Sequence, residues 1–246
     1  MKILILVQGT FAISYREIEK TMRRTWMNSI TSPDILVKVY YGAFDPQGNL
    51  FPEAEIVVEK EQVTENKNGD IIVGAYDMMG PYFDPRGEKL IRALEYSLKF
   101  EYDFVLRVCN TSYIRFDKLL TYLENCPREK FYDGARNLFN YEYYFVSGHN
   151  SIMSRDCVIK LVENKIDFLE CRYPEDLAVG YFLMHKLNYT KFKEEPFITT
   201  HIPATVPGFD ANHFLDHRAY NYRFRGNSSK EMQEYHEFLQ QKTLSN

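Results

Sequence analysis

An α/β fold with a mostly parallel sheet flanked by helices is what the chain predicts, on three grounds. Short apolar runs alternate with stretches whose apolar residues recur every three to four positions. The early runs each close in a polar or glycine turn, the pattern of strand–helix–strand units. Finally, the run Phe104 to Val108 hands over to Cys109-Asn110-Thr111-Ser112 just before an amphipathic helix starting near Asp117. Open α/β sheets bind ligands at such carboxyl ends, and Asn, Thr and Ser there supply hydrogen bonds rather than bulk.

Taken in order, Lys2 to Val7 reads as a buried first strand ending at Gly9-Thr10. Ile18, Met22 and Trp26 then fall on one face of a helix, and Ile35 to Tyr41 is a second strand. Ile56 to Val58 is expected as a short third strand, Glu59 to Gly69 as a charged loop, and Asp70 to Val73 as the start of the next segment. Met78 to Gly87 carries Pro81 and Pro85 and is not regular helix, whereas Glu88 to Phe100 is. Asn140 to Val146 is expected as strand, Ser147 to Asn150 as a turn, Asp156 as the cap of a helix to about Asn164, and Leu177 to Lys186 as another helix. The stretch from Glu194 to Arg225, with Pro196, Pro203, Pro207, His201, His213 and His217, is expected to be irregular before a terminal helix, Ser228 to Leu244. No repeat or linker interrupts the chain, so one domain over 1–246 is expected.

Composition narrows the function classes. With 246 residues, 45% hydrophobic and 26% charged, the chain is an ordinary globular protein with enough length for a full core. A net charge of -4 argues against a nucleic-acid partner, whose footprint is basic. The His213–Arg225 segment mixes Arg and Tyr, and reads equally as a nucleic-acid contact or a loop closing over a ligand. Cys109, Cys126, Cys157 and Cys171 have no metal or disulfide-scaffold spacing, so reduced thiols and a cytoplasmic protein are expected. The opening apolar run is too short for a membrane span.

Several short motifs then fall in a known order. Met22 to Trp26 (MRRTW) is similar to the I-R-x-T-W helix of the β-1,3-galactosyltransferase and N-acetylglucosaminyltransferase family, related to Fringe. Asp70-Ile71-Ile72 resembles its D-I-(I/L) segment, and Asp77, Tyr82 and Lys89 resemble its D-x-Y…K block. FVLRVCNTSYI, from Phe104 to Ile114, lies where the family has a strand reading like V-x-K-x-D-D-D-x-F-V. SGHNSIMSRD (Ser147 to Asp156) and PEDLAVG (Pro174 to Gly180) are similar to its S-G-x-x-Y-x-L-S-x-D and E-D-V-Y-V-G segments. The ordered set spans roughly residues 1 to 185.

The resemblance implies a GT-A fold, with a Rossmann-like nucleotide-sugar half over about 1–115 and an acceptor half over about 116–225. It implies inverting transfer of a sugar from a nucleotide diphosphate donor, most simply a UDP-sugar, to a glycan acceptor hydroxyl. By the motif match Asp176 is the catalytic base, with Glu175 beside it; without the match, the pair simply complements a helix dipole. Arg23, Asp77, Lys89 and Arg107 are implied at the donor, together with Asn110, Thr111 and Ser112. Gly9 and Thr10 suit a turn against uridine or ribose, or an ordinary βα turn. Gly148, His149 and Asn150 are candidate acceptor contacts, or a hairpin tip.

The departure from the family is the triplet itself. Cys109, Asn110 and Thr111 stand where the family has metal-binding aspartates, and they suit Mn²⁺ or Mg²⁺ poorly. His201 resembles the late histidine that completes some GT-A metal sites, and otherwise reads as a structural histidine. Two outcomes stay open: a metal-independent transferase whose Lys, Arg and hydroxyl groups hold the diphosphate, or a non-catalytic GT-A-like module that binds nucleotide or glycan.

Overall fold

Ile3, Ile5 and Val7 belong to one hydrophobic cluster and Leu4 and Leu6 to another, and all five are buried. A strand with no wet face belongs in the middle of a sheet covered by helices on both sides. That is where the first strand lies. The structure, a computed structural model, describes residues 1–77, 86–139, 143–171, 173–189, 199–202, 210–212, 219–224 and 228–244.

In chain order, β1 (Ile3–Gln8) leads to α1 (Arg16–Met22), which runs on through a wide turn at Arg23–Met27. Then come β2 (Ile35–Phe44), β3 (Val63–Glu65), β4 (Ile71–Tyr76), α2 (Arg86–Ser97), β5 (Phe104–Cys109), β6 (Ser112–Ile114) and α3 (Phe116–Glu124). The second half adds β7 (Tyr132–Phe139), β8 (Tyr143–Ser154), α4 (Arg155–Glu163), α5 (Lys165–Glu170) and α6 (Glu175–Gly180), whose axis continues over Tyr181–Lys186. β9 (Thr199–Ile202), β10 (Asn221–Phe224) and α7 (Ser229–Leu244) follow.

The main sheet has the order β3-β4-β2-β1-β5-β8-β7, and β6-β10-β9 form a small second sheet. β4, β2, β1 and β5 are parallel neighbours, while β3, β8 and β7 pair antiparallel at the flanks. One face is covered by α1, α3 and α7 through Ile18, Met22, Trp26, Leu119, Leu123 and Met232. The other is covered by α2 and α4–α6, through Leu90, Leu94, Val158, Leu161, Phe168 and Ala178. This is the mixed-sheet α/β fold that the alternation predicts.

From β1 the chain steps outward to β2 and β4, and α2 then carries it back to β5 on the opposite side of β1. That reversal opens a crevice beyond the carboxyl ends of β1 and β5. Register brings Gln8 beside both Tyr40 and Cys109 there. The indole of Trp26 donates to the carbonyl of Ser112 at 2.8 Å, fastening the α1 extension to the small sheet behind the crevice.

Several expected elements differ. Ile56 to Val58 forms no strand, and Val57 is 84% exposed; β3 forms instead within the charged stretch, pairing antiparallel with β4. Its polar Thr and Glu are tolerated because an edge strand needs only one buried face. Ser147 to Asn150 is not a turn but the middle of β8, with Asn150 opposite Val108 and Ser151 opposite Arg107. Glycine and polar residues persist there because that segment faces the crevice instead of packing a core. β7, α5, β9 and β10 lie where no regular element is expected. Ser154, not Asp156, precedes the first turn of α4. Tyr82, Pro81, Pro85, Pro196, Pro203, Pro207, His213 and His217 lie outside the described residues.

Candidate functional site

The crevice ends in a small cavity of about 150 Å³, walled by Gln8, Cys109, the β8 segment, the start of α6 and Arg223 of β10. Its floor is an ion pair. The guanidinium of Arg107 donates to the Glu175 carboxylate and to the Gln8 amide oxygen, and its Nε–H reaches the Tyr40 hydroxyl at 3.2 Å. Burial works against the Arg107 charge, but Glu175 and Tyr40 outweigh it, and its proton is held more firmly than in water. Arg107 and Glu175 therefore satisfy each other, so neither presents a free charge to a ligand.

Asp176 is held differently. Its two oxygens accept the backbone N–H groups of Gly148 (3.2 Å) and Leu177 (3.0 Å), which orient the carboxylate while leaving further lone pairs towards the cavity. Gly148 has to be glycine, because a Cβ there would sit 1.7 Å from Nη1 of Arg107. Gly148→Ala should push the guanidinium out of its pair and destabilise the protein by about 1–3 kcal/mol, the usual range for overpacking. Denaturant unfolding checks this, and an unchanged midpoint would mean that Arg107 is free to move aside. The next residue, His149, accepts at Nδ1 from Arg223 (3.1 Å), with Ser147 Oγ 2.7 Å from the same nitrogen. Asn150 takes the Tyr220 hydroxyl at 3.0 Å.

The residues after β1 are braced from behind. Lys89, only 1% exposed, donates to Asp77 Oδ1 (2.9 Å), to the Asp77 carbonyl (3.0 Å) and to the Gly9 carbonyl (3.2 Å). Asp77 also accepts from Thr10 Oγ1 (2.8 Å) and from the backbone N–H groups of Phe11 (2.8 Å) and Gly42 (2.9 Å). All three ammonium protons are thus committed, and the pair acts as a clip across the ends of β1, β2 and β4. Gly9 is needed because a Cβ would meet the Tyr41 ring at 2.4 Å.

Beside that loop lies a larger cavity of about 600 Å³, lined by Thr10, Phe11, α1 and residues flanking β3. Phe11 stacks on Tyr41 at 4.5 Å and 11°. Its cations are all paired: Arg16 with Glu53, Lys20 with Glu17 (2.7 Å), and Arg23 with Glu19 (3.2 Å) and Asp70 (3.0 Å). Burial pushes the carboxyls of Glu19 and Asp70 up despite their shared arginine. The wall exposes more apolar than polar surface, and its arginines are paired with carboxylates of the same wall.

At the triplet, Cys109 Sγ lies 2.9 Å from Thr111 Oγ1, so thiol and hydroxyl engage each other. Asn110 is 3% exposed, and its Nδ2 has no partner among the described residues. Ser112 belongs to β6 and donates to the His149 carbonyl at 3.3 Å. A thiol, a hydroxyl and an amide donor do not fit a hard divalent cation, and no group of three or more His, Cys, Asp or Glu gathers elsewhere among the described residues. His201 lies on β9 in register with Arg223.

The structure thus brings Arg107, Cys109, Gly148, His149, Glu175 and Asp176 to one cavity, and Thr10 and Arg23 to the other. Lys89, Asp77 and Ser112 lie behind the walls. Gln8 and Arg223 also line the small cavity without being among the candidates named from the sequence, although Arg223 falls in the Arg- and Tyr-rich His213–Arg225 segment read above as a nucleic-acid contact or a loop closing over a ligand. The signal was present: Tyr220, Tyr222 and Phe224 alternate as a buried strand face, which turns Arg223 the opposite way.

No helix among the described residues is long and apolar enough to cross a membrane. No protein-family profile matches the chain, and no curated protein does. Among solved structures, the galactosyltransferase LgtC in complex with donor and acceptor sugar analogs is similar over 97% of this chain and 96% of that one, at a TM-score of 0.44 and 9% identity. Nothing about this chain's chemistry follows from an overlap that loose.

Proposed function

We propose that the protein is an inverting glycosyltransferase of the GT-A type, moving a sugar from a nucleoside diphosphate donor, a UDP-sugar in the first instance, to a glycan hydroxyl without a divalent cation. The observation that carries this reading is Asp176, held by two backbone N–H groups on the wall of a polar cavity at the carboxyl ends of parallel strands. The order of the family-like motifs points to the same residue. The acceptor hydroxyl gives its proton to Asp176 while its oxygen attacks the anomeric carbon from the face opposite the donor. The bond from that carbon to the diphosphate oxygen breaks, and the departing nucleoside diphosphate keeps the electron pair.

The two cavities divide the donor by charge. A wall whose cations are all paired suits an uncharged nucleoside, so the base and ribose belong in the larger cavity near Phe11 and Tyr41. Glu175 and Arg107 are positioning residues in this reading, shaping the floor on which Gly148 and Asp176 rest. Gly148, His149 and Asn150 border the acceptor side. Lys89 and Asp77 hold the loop of Gly9 and Thr10 in place rather than touching the donor.

Calorimetric titration with UDP and UDP-sugars in EDTA, then with Mn²⁺, tests the reading. Micromolar binding indifferent to chelation is the expected result. Absence of any nucleotide binding would sink it, and donor binding without hydrolysis or transfer to any glycan would favour the non-catalytic module.

A further inference from the structure

We infer that Arg223 carries the charge of the diphosphate, in the place where a metal-dependent enzyme would use a cation; this rests on the nucleotide-sugar reading above. In the small cavity the Arg107 and Glu175 charges cancel and Asp176 is bound by backbone N–H groups, which leaves Arg223 as the cation on that wall without a carboxylate among the described residues. What it does contact is the Nδ1 of His149, at 3.1 Å from one of its guanidinium nitrogens. The Nε–H of Arg223 is buried with no acceptor among the described residues.

A second buried donor without a partner among the described residues is Asn110 Nδ2. Arg223 faces Ser112 in antiparallel register, and the Phe224 N–H donates to the Thr111 carbonyl at 2.9 Å, so Asn110 directly precedes the backbone bonded to the Arg223 strand. Asn110 Nδ2 and Arg223 Nε are both donors. Each buried donor left without an acceptor costs about 1–3 kcal/mol, and a phosphate oxygen would offset that cost. These groups lack an anion, not a cation. A guanidinium also presents the planar fork that matches two phosphate oxygens at once. When the anomeric carbon–oxygen bond breaks, the extra negative charge then develops on an oxygen that Arg223 already faces.

The test is calorimetric titration in EDTA of nucleoside diphosphates, UDP first and each beside its nucleoside, against the wild-type protein, Arg223→Gln and Arg223→Lys. Loss of a charged hydrogen bond should weaken diphosphate binding about 10- to 150-fold in the Gln variant, with nucleoside binding unchanged. The Lys variant keeps the charge and loses the fork, and should fall between. If the Gln variant does not fold, the diphosphate-to-nucleoside affinity ratio of the Lys variant decides, and an unchanged ratio overturns the inference. Wild-type binding that survives Arg223→Gln intact, or that needs Mn²⁺, overturns it while leaving the nucleotide reading in place. Wild-type protein that binds no nucleoside diphosphate overturns both.

Discussion

Asp176→Asn should lower the transfer rate by about 10²- to 10⁴-fold, the range that general base catalysis supplies, while donor affinity stays within a few-fold of the wild type. The amide keeps the shape of the carboxylate and its one oxygen can still accept one of the two N–H groups, from Gly148 or Leu177, but it cannot take the acceptor proton. The measurement is single-turnover transfer beside calorimetric donor titration. Equal losses in both would make Asp176 a structural residue at the start of α6. A smaller loss at high pH than at neutral pH is also expected, since an acceptor hydroxyl that ionises more readily depends less on a base.

Lys89→Met should be the most damaging of the substitutions for stability. Methionine roughly preserves the volume and removes the charge, leaving the fully buried Asp77 carboxylate without its counter-ion. Breaking one partner out of such a pair costs about 3–5 kcal/mol. In a chain of this size that corresponds to a fall in melting temperature of roughly 6–20 °C. A double substitution, Lys89→Met with Asp77→Leu, should recover part of the loss, because the penalty lies in the orphaned charge and not in the missing attraction. A Lys89→Met protein that melts normally but has lost UDP would instead return Lys89 to the donor contacts that its motif position suggests.

Much of the fold was legible because its signals are local. Continuous apolar runs at Ile3–Val7 and Phe104–Val108 identify buried parallel strands, and four-residue spacings at Ile18, Met22 and Trp26 identify a helix face. Where the reading failed, a local signal pointed one way and pairing decided otherwise. Ile56 to Val58 looks like a strand, but among the described residues no neighbour pairs with it, while Val63–Glu65 is polar and pairs with β4. Ser147-Gly148-His149-Asn150 carries turn residues, yet β8 runs straight through it, because Asn150 to Ser154 pair with β5 and Tyr143 to Val146 pair with β7 on the other side of a register shift. β-structure is set by what lies alongside, so propensity ranks it poorly.

The candidate site divides in the same way. The sequence by itself determined the α/β class, the polar triplet at the end of β5, the absence of carboxylates there and the acidic pair opening α6. Those are statements about residue types at short spacing, and they survive folding. Only the tertiary structure decided that Arg107 is neutralised by Glu175, 68 positions away, that Lys89 is spent on Asp77, and that Arg223 turns into the cavity with no carboxylate to meet it among the described residues. A charge acquires its role from the charges around it, and those neighbours come from distant parts of the chain.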